Sequence, residues 1–252
     1  MRPSNQEPLE VLRIIRRSTQ GVNLPFFCAA SDGREYWVKG AGLGSRALCC
    51  EWIAGTLAQR LGLPVPPFVL LAVSQEAIDG SLISDVHQLG AGIAFGSENV
   101  EGVQELGIMD VKYAIRHELD VARMTLLFDW WVKNGDRTLG EKGGNPNLLV
   151  ETGVQSIRVI DHNLAFDRDW DGEAFFSDHV FGQLKGRIDA EWMLAARSKM
   201  CETLDGLDEI WGQLPEQWLF LDRAMSVPTD FSVQEVKQVL QRVQTEWKEQ
   251  WT

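Results

Sequence analysis

The first part of the chain contains short apolar runs that are separated by turn residues, which is typical of β-strands. The predicted strands are residues 26–30, 36–39, 68–73 and 92–95. Between the first two, Ser-Asp-Gly at residues 31–33 predicts a hairpin turn. One helix interrupts this series. Ser45 is a candidate capping residue at its start, and Gly62 with the prolines after it predicts its end.

Beyond residue 98 the apolar positions follow helical spacing instead. One such series predicts a helix with the buried face Ile115, Leu119, Ala122, Leu126 and Trp130. Residues 133–166 interrupt the helical pattern with loops and two short strands. Ser232 and Glu235 form a capping-box pair that begins the last predicted helix. The buried stripe predicted for that helix is Val233, Val236, Leu240, Val243 and Trp247.

Composition and charge exclude several classes of protein. The chain has 252 residues, of which 44% are hydrophobic, as in a globular protein with a real core. Its net charge of -12 argues against binding nucleic acid through phosphate neutralisation. No apolar run is long enough to cross a membrane, and residues 1–17 lack a secretion signal. The four cysteines form no zinc or disulfide pattern, so we expect a cytoplasmic protein with reduced thiols.

The candidate chemistry lies in the interrupted region, residues 133–166. Asp136 stands in an Asn-Gly-Asp-Arg sequence that follows a helix, Asn145 and Asn147 come next, and Asp161 ends an apolar strand. Phosphoryl transfer from ATP requires such groups: one carboxylate accepts the proton of the attacking hydroxyl, and an amide oxygen and a second carboxylate hold magnesium. The apolar run after Asn147 would place the two metal ligands on either side of a small hairpin.

These residues belong to a longer series of motifs that resembles the HipA-like kinases, relatives of the protein kinases and phosphoinositide kinases. The matching segments occur in the family's order and together span roughly residues 18–166. They are residues 36–39, 51–55, 63–66, 95–97, 128–137, 145–149 and 160–162. No one segment is decisive, but their ordered combination is fairly specific.

The resemblance implies an α+β, two-lobed protein-kinase-like fold. A small lobe of antiparallel sheet and one helix would comprise residues 1–98, and a mostly helical lobe would comprise residues 99–252. The cleft between them would hold ATP and Mg²⁺. In the small lobe, the resemblance implies that Lys39 contacts the α- and β-phosphates and is held by Glu51. The loop of residues 18–23 around Gly21 would cover the phosphates, and the hinge beside the adenine would be Phe95, Gly96 and Ser97.

In the larger lobe, the resemblance implies that Asp136 is the catalytic base and Asp161 a metal ligand. The other ligand is Asn145 or Asn147, with Asn145 favoured. The choice stays open because residues 140–144 lengthen the interval that the family usually has between base and amide. Gly21 also stands alone, without the several glycines of an ordinary protein-kinase loop. The implied substrate is a hydroxyl group of a protein, at Ser or Thr, or of a small molecule, and no membrane or nucleic-acid partner is expected.

Several alternatives stay open. Asp136 is also a residue type common in turns, and Lys39 with Glu51 is also a possible surface ion pair of little energetic value. The glycine-rich residues 40–44 follow a strand and precede a helix, as in a dinucleotide-binding turn, but their spacing departs from that motif, and a connecting loop is favoured. The alternative functions are a nucleotide-binding regulator without turnover and an aminoglycoside-type small-molecule kinase.

Overall fold

The structure is a computed structural model that describes residues 7–19, 23–140, 143–151, 156–247 and 251. These residues form two compact units, each built from three chain segments. The first unit comprises Met1–Trp52, Pro66–Val100 and Gln213–Phe231. The second comprises Ile53–Val65, Glu101–Gly212 and Ser232–Thr252.

A closed five-stranded barrel forms the first unit. Its strands are β1 (Leu9–Arg17), β2 (Phe26–Ala30), β3 (Glu35–Lys39), β4 (Phe68–Val73) and β5 (Gly92–Glu98). The order around the barrel is β1-β2-β3-β5-β4, with β1 and β4 parallel and every other neighbouring pair antiparallel. Its interior contains side chains with no measurable exposure, among them Cys28, Tyr36, Val38 and Leu71.

Strand β1 is the main difference from the predicted antiparallel sheet, because the sequence pattern did not reveal it. Two irregularities in its pairing with β2, at Val11/Arg13 and Ile14/Arg16, disrupt the inward–outward alternation of its side chains. Of its nine residues only Val11 is buried. The sequence of such a strand lacks the alternation of apolar and polar residues that predicts a strand. Its parallel pairing with β4 makes the sheet mixed.

The predicted helix is present as α1 (Ser45–Arg60), followed later by the short α2 (Gln75–Asp79). Gly62 ends α1 as predicted: its φ is +83°, and the Leu63 N–H donates to the Ala58 carbonyl over 3.0 Å. The Ser45 hydroxyl donates to the Phe220 carbonyl, within the first unit, over 2.7 Å. The predicted helix is confirmed with its bounds, whereas the short α2 was not predicted.

Besides residues 53–60 of α1, the second unit contains one small sheet and seven α-helices among the described residues. The sheet has the order β6 (Val103–Glu105), β7 (Leu148–Glu151), β8 (Ile157–Val159), with antiparallel pairing throughout. The helices are α3 (Ile108–His117), α4 (Leu119–Trp131), α5 (Gly172–Asp178), α6 (Ala190–Leu204), α7 (Leu207–Trp211), α8 (Val233–Leu240) and α9 (Arg242–Thr245).

Two helix predictions are corrected by this arrangement. The apolar series from Ile115 to Trp130 crosses from α3 into α4, because Glu118 leaves helical geometry at φ −124° and ψ 39°. The last helix begins as predicted, with the Ser232 hydroxyl accepting the Glu235 N–H over 3.2 Å. It is divided at Gln241 into α8 and α9. The side chains of Val236, Leu240, Val243 and Trp247 are buried, as the stripe predicts.

The bounds of the two units also differ from the expected lobes, residues 1–98 and 99–252. Residues 53–65 join the second unit, and Gln213–Phe231 returns to the first. That returning segment is attached to β5, since Gln217 Nε2 and Trp218 Nε1 both donate to the Ile93 carbonyl, over 3.0 and 2.9 Å. The four cysteines are free thiols, and Cys28, Cys49 and Cys50 are buried. Among the helices that are described, none is both long enough and apolar enough to span a bilayer.

Candidate active site

Asp136 lies in the loop after α4 and is the centre of a cluster of polar side chains. Its Oδ2 accepts one hydrogen bond from Asn145 Nδ2, over 2.7 Å, and another from Asn147 Nδ2, over 2.8 Å. The two amides therefore bind the same carboxylate oxygen.

The hairpin of β7 and β8 brings Asn147 and Asp161 to one end of the small sheet. Asn147 directly precedes β7, and Asp161 follows β8 after a single residue. Leu148 pairs with Val159, and the Ile160 N–H donates to the Asn147 carbonyl over 3.1 Å. The predicted hairpin between these two residues is confirmed.

The electrostatics of Asp136 show that Asp161 is its neighbour. Burial is the main cause that raises the pKa of Asp136, and the charge of Asp161 raises it further. The amide hydrogen bonds and the Arg137 charge oppose these effects without cancelling them. Two carboxylates that repel each other in this way favour a cation between or beside them.

The donor set fits a magnesium ion. Mg²⁺ is bound through one or two carboxylates, with the remaining positions taken by phosphates and water. Asp161 offers a carboxylate, and each asparagine, since its nitrogen donates to Asp136, offers a carboxamide oxygen. In the part of the chain that is described, no group of three or more His, Cys, Asp or Glu side chains forms a metal site.

The backbone around the cluster is held in unusual conformations. Residues other than glycine rarely adopt positive φ, yet four of those described between residues 133 and 166 do so: Lys133 (52°), Asn147 (47°), Asp161 (58°) and Phe166 (60°). The loops are also joined to each other, because the Phe166 N–H donates to the Val132 carbonyl over 2.6 Å. Such conformations persist where the surrounding structure enforces them, as at functional sites.

The extra residues before Asn145 do not displace it. Gly140 and Gly143 close a small loop, each donating its N–H to the carbonyl of the other over 3.0 Å. The chain then returns to Asp136, because the Thr138 N–H donates to the Asn145 carbonyl over 3.0 Å. A Cβ on Gly144 would lie 2.4 Å from the Thr138 carbonyl oxygen, so only glycine fits this return.

A second, fully buried cluster centred on Asp129 supports the loop, and sequence reasoning missed it. The carboxylate of Asp129 accepts from Asn134 Nδ2 (2.9 Å), Arg137 Nε (2.6 Å) and His179 Nε2 (2.9 Å). Burial, the largest influence, would raise its pKa, but the charge of Arg137 and the hydrogen bonds from His179 and Arg137 lower the pKa to about 2. The available signal was an acid inside the apolar helix α4.

Arg137 extends this support to the metal-ligand segments. Its side chain has no measurable exposure. Besides Asp129, it donates from Nη1 to the carbonyls of Pro146, over 3.3 Å, and Ile160, over 3.1 Å, and to that of Asn147. The guanidinium thus joins the chain before β7 to the chain after β8, where the candidate metal ligands are found.

In the first unit, Lys39 and Glu51 form an ion pair. Their side chains are only 11% and 1% exposed, so the pair is not a solvated surface contact. Lys39 ends β3 directly opposite Phe95 of β5, and Glu51 lies on α1. Burying both charges is costly unless they are paired, so the contact between them matters for stability.

Comparison with known proteins identifies the family of this chain. A family model described as HipA-like kinase matches residues 11–251. The chain belongs to the HipA-like kinase family. The resemblance drawn from the motifs is thereby confirmed, and the kinase class with it. A search of curated proteins gives no match.

A search of solved structures finds kinases, each with a TM-score below 0.5. A Helicobacter pylori proinflammatory kinase, CtkA, is 11% identical over 97% of this chain and 95% of its own, with a TM-score of 0.44. The Golgi casein kinase is 12% identical over 98% of this chain and 74% of its own, with a TM-score of 0.48. The same kinase with Mn/ADP bound is 12% identical over 96% and 73%, with a TM-score of 0.49. No residue role is carried over from them.

The family implies two further elements for nucleotide binding, a phosphate loop and a hinge, and the roles of both stay predictions. Of the implied phosphate loop, residues 18–23, Gly21 and the residues on either side of it lie outside the described residues. Phe95, Gly96 and Ser97, the implied hinge, lie inside β5, and the first unit's segment continues to Val100. Phe95 packs against Phe68 with ring centroids 5.2 Å apart. The hinge role of the three residues stays a prediction.

The glycine-rich residues 40–44 form a connecting loop, as favoured from the sequence. Strand β3 before them pairs antiparallel with both β2 and β5, whereas a dinucleotide-binding turn follows a strand of a parallel sheet. The loop packs on residues further along the chain: the Ala41 N–H donates to the Leu89 carbonyl over 2.9 Å. A Cβ on Gly40 would lie 1.9 Å from that carbonyl oxygen, so close packing explains this glycine.

Proposed function

We propose that this chain is an ATP- and Mg²⁺-dependent kinase that transfers the γ-phosphoryl group to a Ser or Thr hydroxyl of a protein. The observation that carries the proposal is the single cluster of Asp136, its two amide donors and Asp161 in a member of a kinase family. Phosphoryl transfer depends chiefly on positioning and charge stabilisation, and this cluster has the groups that supply both.

In the proposed reaction Asp136 is the base. The substrate hydroxyl donates its hydrogen bond to Oδ1, while the amides of Asn145 and Asn147 hold Oδ2. As the hydroxyl oxygen bonds to the γ-phosphorus, the bond from that phosphorus to the β–γ bridging oxygen breaks. ADP leaves, and the proton passes to Asp136. The raised pKa of Asp136 favours this acceptance of a proton.

Asp161 and one carboxamide oxygen would hold the metal, which when bound neutralises the developing phosphate charge. The hairpin favours Asn147 over Asn145 as the second ligand. The Ile160 N–H binds the Asn147 carbonyl, so Asn147 is attached to the residue directly before Asp161. Asn145 would then act through its hydrogen bond to Asp136 alone.

Lys39 would bind the α- and β-phosphates, and Glu51 would hold its ammonium group in place. The ion pair supports this role, since a buried lysine that ends a strand is expensive to retain as a purely structural feature. Phe95, opposite Lys39 in β5, offers an apolar surface on the same side of the sheet.

The alternative of a regulator without turnover rests on the residues inserted before Asn145. Turnover is the favoured interpretation because Asn145 still binds Asp136 despite the residues inserted before it. A small-molecule hydroxyl remains the alternative acceptor, and a labelling experiment with both kinds of acceptor distinguishes the two.

The experiment incubates the purified chain with γ-labelled ATP and Mg²⁺, and adds either cell-lysate proteins or a panel of hydroxylated small molecules. The proposal predicts label on protein Ser or Thr, dependent on Mg²⁺, and stabilisation of the chain against heat by MgATP but not by NAD. Label on small molecules alone would reject the protein acceptor. Neither transfer nor protection by ATP would reject the kinase function.

A further inference from the structure

His179 connects a distant element to the catalytic loop. It follows α5, and residues Thr138 and His179 pair in an isolated antiparallel bridge. The Val180 N–H also donates to the Arg137 carbonyl over 3.0 Å. The segment after α5 therefore lies directly along the residues that follow Asp136.

The hydrogen bonds of His179 define its tautomer. The Phe181 N–H donates to Nδ1 over 3.0 Å, so Nδ1 carries no proton. Nε2 then holds the ring proton and donates it to Asp129 Oδ2 over 2.9 Å. Burial lowers the pKa of His179, in agreement with a neutral ring. The imidazole thus transmits the position of the Phe181 backbone to the Asp129 carboxylate.

Asp129 in turn fixes both sides of the catalytic residue. Its Oδ1 binds Asn134, two residues before Asp136, and its Oδ2 binds Arg137, the residue directly after. Arg137 holds the carbonyls beside the proposed metal ligands. Each of these hydrogen bonds involves a buried charged group, the Asp129 carboxylate or the Arg137 guanidinium. Hydrogen bonds to charged groups are stronger in the buried interior than in water.

We infer that Asp129 and His179 are positioning residues of the phosphoryl-transfer site, with His179 orienting Asp129 and Asp129 orienting Arg137. Neither residue touches the substrate. The predicted effect on kcat rests on the proposed function. The predicted placement of the metal-ligand segments does not depend on turnover.

Two substitutions separate the two hydrogen bonds of the ring. In His179→Gln the side-chain nitrogen takes the place of Nε2 and keeps the donor to Asp129. In His179→Asn the side-chain oxygen takes the place of Nδ1 and keeps the acceptor for the Phe181 N–H, but the donor to Asp129 is lost. Both variants lose the imidazole and remain neutral, so each is a matched control for the other.

We expect His179→Gln to keep kcat within about threefold of the wild type, and His179→Asn to lose about 10- to 100-fold in kcat with the KM for ATP little changed. The second readout is the affinity of the nucleotide-free chain for Mn²⁺ alone, which should fall in His179→Asn and not in His179→Gln. A purely structural role would lower the melting temperature of both variants and leave kcat and Mn²⁺ affinity of the folded protein unchanged.

That last result would overturn the inference, and so would equal losses of kcat in both variants. If the wild type transfers no phosphate, the proposed function fails, and the pattern of Mn²⁺ affinity alone decides the inference. Should His179→Asn fail to fold, Asn134→Ser removes the donor to the other oxygen of Asp129 and is expected to give the same fall in Mn²⁺ affinity. Unchanged affinity in Asn134→Ser would overturn the inference equally.

Discussion

The buried imidazole of His179 predicts a specific dependence of stability on pH. Its pKa is lowered because the ring is buried, whereas in the unfolded chain it titrates near its ordinary 6.5. Below that pH the unfolded state binds a proton that the folded state does not. The stabilisation is therefore complete above about pH 6.5 and is lost as the pH falls below it, by at most about 1.4 kcal/mol per pH unit.

Denaturant unfolding at pH 8 and at pH 5.5 measures this contribution. The wild type should lose more stability between the two than His179→Gln, which cannot take up the proton. Asp129 contributes at still lower pH, since its pKa is about 2 against an ordinary 3.8 and its stabilisation disappears between these values. Identical losses in wild type and variant would show that His179 does not titrate as described.

Variants of the Lys39–Glu51 pair distinguish its contribution to stability from its contribution to ATP binding. Lys39→Met removes the ammonium group beside a carboxylate that is 1% exposed, and is expected to destabilise the chain by about 3 kcal/mol. The double variant Lys39→Met/Glu51→Leu removes both charges and should regain most of that stability. ATP affinity should stay low in both. A double variant that binds ATP as well as the wild type would remove Lys39 from the nucleotide site.

Individual residues of this chain were predictable where their chemistry is local in sequence. Asp136, the two asparagines and Asp161 fall within one short region, so their grouping was predictable, while their roles in phosphoryl transfer stay predictions. Asp129 and His179 are 50 residues apart, and only the fold brings them together. Their cluster could not be found by spacing, although an acid inside an apolar helix was a signal that some partner must exist.

At the scale of elements, regular patterns were predicted well and irregular ones were not. Strands β2 and β4 and helix α1 have strong periodicity and clear end signals, and their bounds agree with those predicted. Strand β1 was missed because its pairing irregularities hide the alternation. The break between α3 and α4 was missed because apolar spacing continues across it, and periodicity does not register a single residue outside helical geometry.

The small loop before Asn145 makes an element-scale prediction with an internal control. A Cβ at Gly144 would lie 2.4 Å from the Thr138 carbonyl oxygen, so Gly144→Ala must shift the backbone that carries Asn145. A Cβ at Gly140 would have its nearest neighbour at 3.9 Å, an ordinary contact. We expect Gly144→Ala to lose about 10-fold or more in kcat and Gly140→Ala to stay near the wild type, by steady-state kinetics. Equal activity in the two would show that this return of the chain does not position the amide.

At the scale of the whole molecule, the order of motifs along the chain was more informative than any single motif. The family assignment from that order is confirmed by the match over residues 11–251. The division into units was harder to predict, because Gln213–Phe231 returns to the first unit through contacts with β5 that no local pattern reveals. The net charge of -12 argues against binding to the phosphate backbone of nucleic acids, and the absence of such binding stays a prediction. The charge does not identify the acceptor of the phosphoryl group.

The account depends most on Asp136 as the base of a phosphoryl transfer, and single-turnover transfer from γ-labelled ATP by Asp136→Asn tests it most directly. This substitution keeps the shape of the side chain and an oxygen for an amide donor but removes the proton acceptor. We predict that MgATP binding survives while the rate of transfer falls by about 100-fold or more, with the exposed Asp205→Asn unchanged as control. Transfer by Asp136→Asn at the wild-type rate would contradict the account.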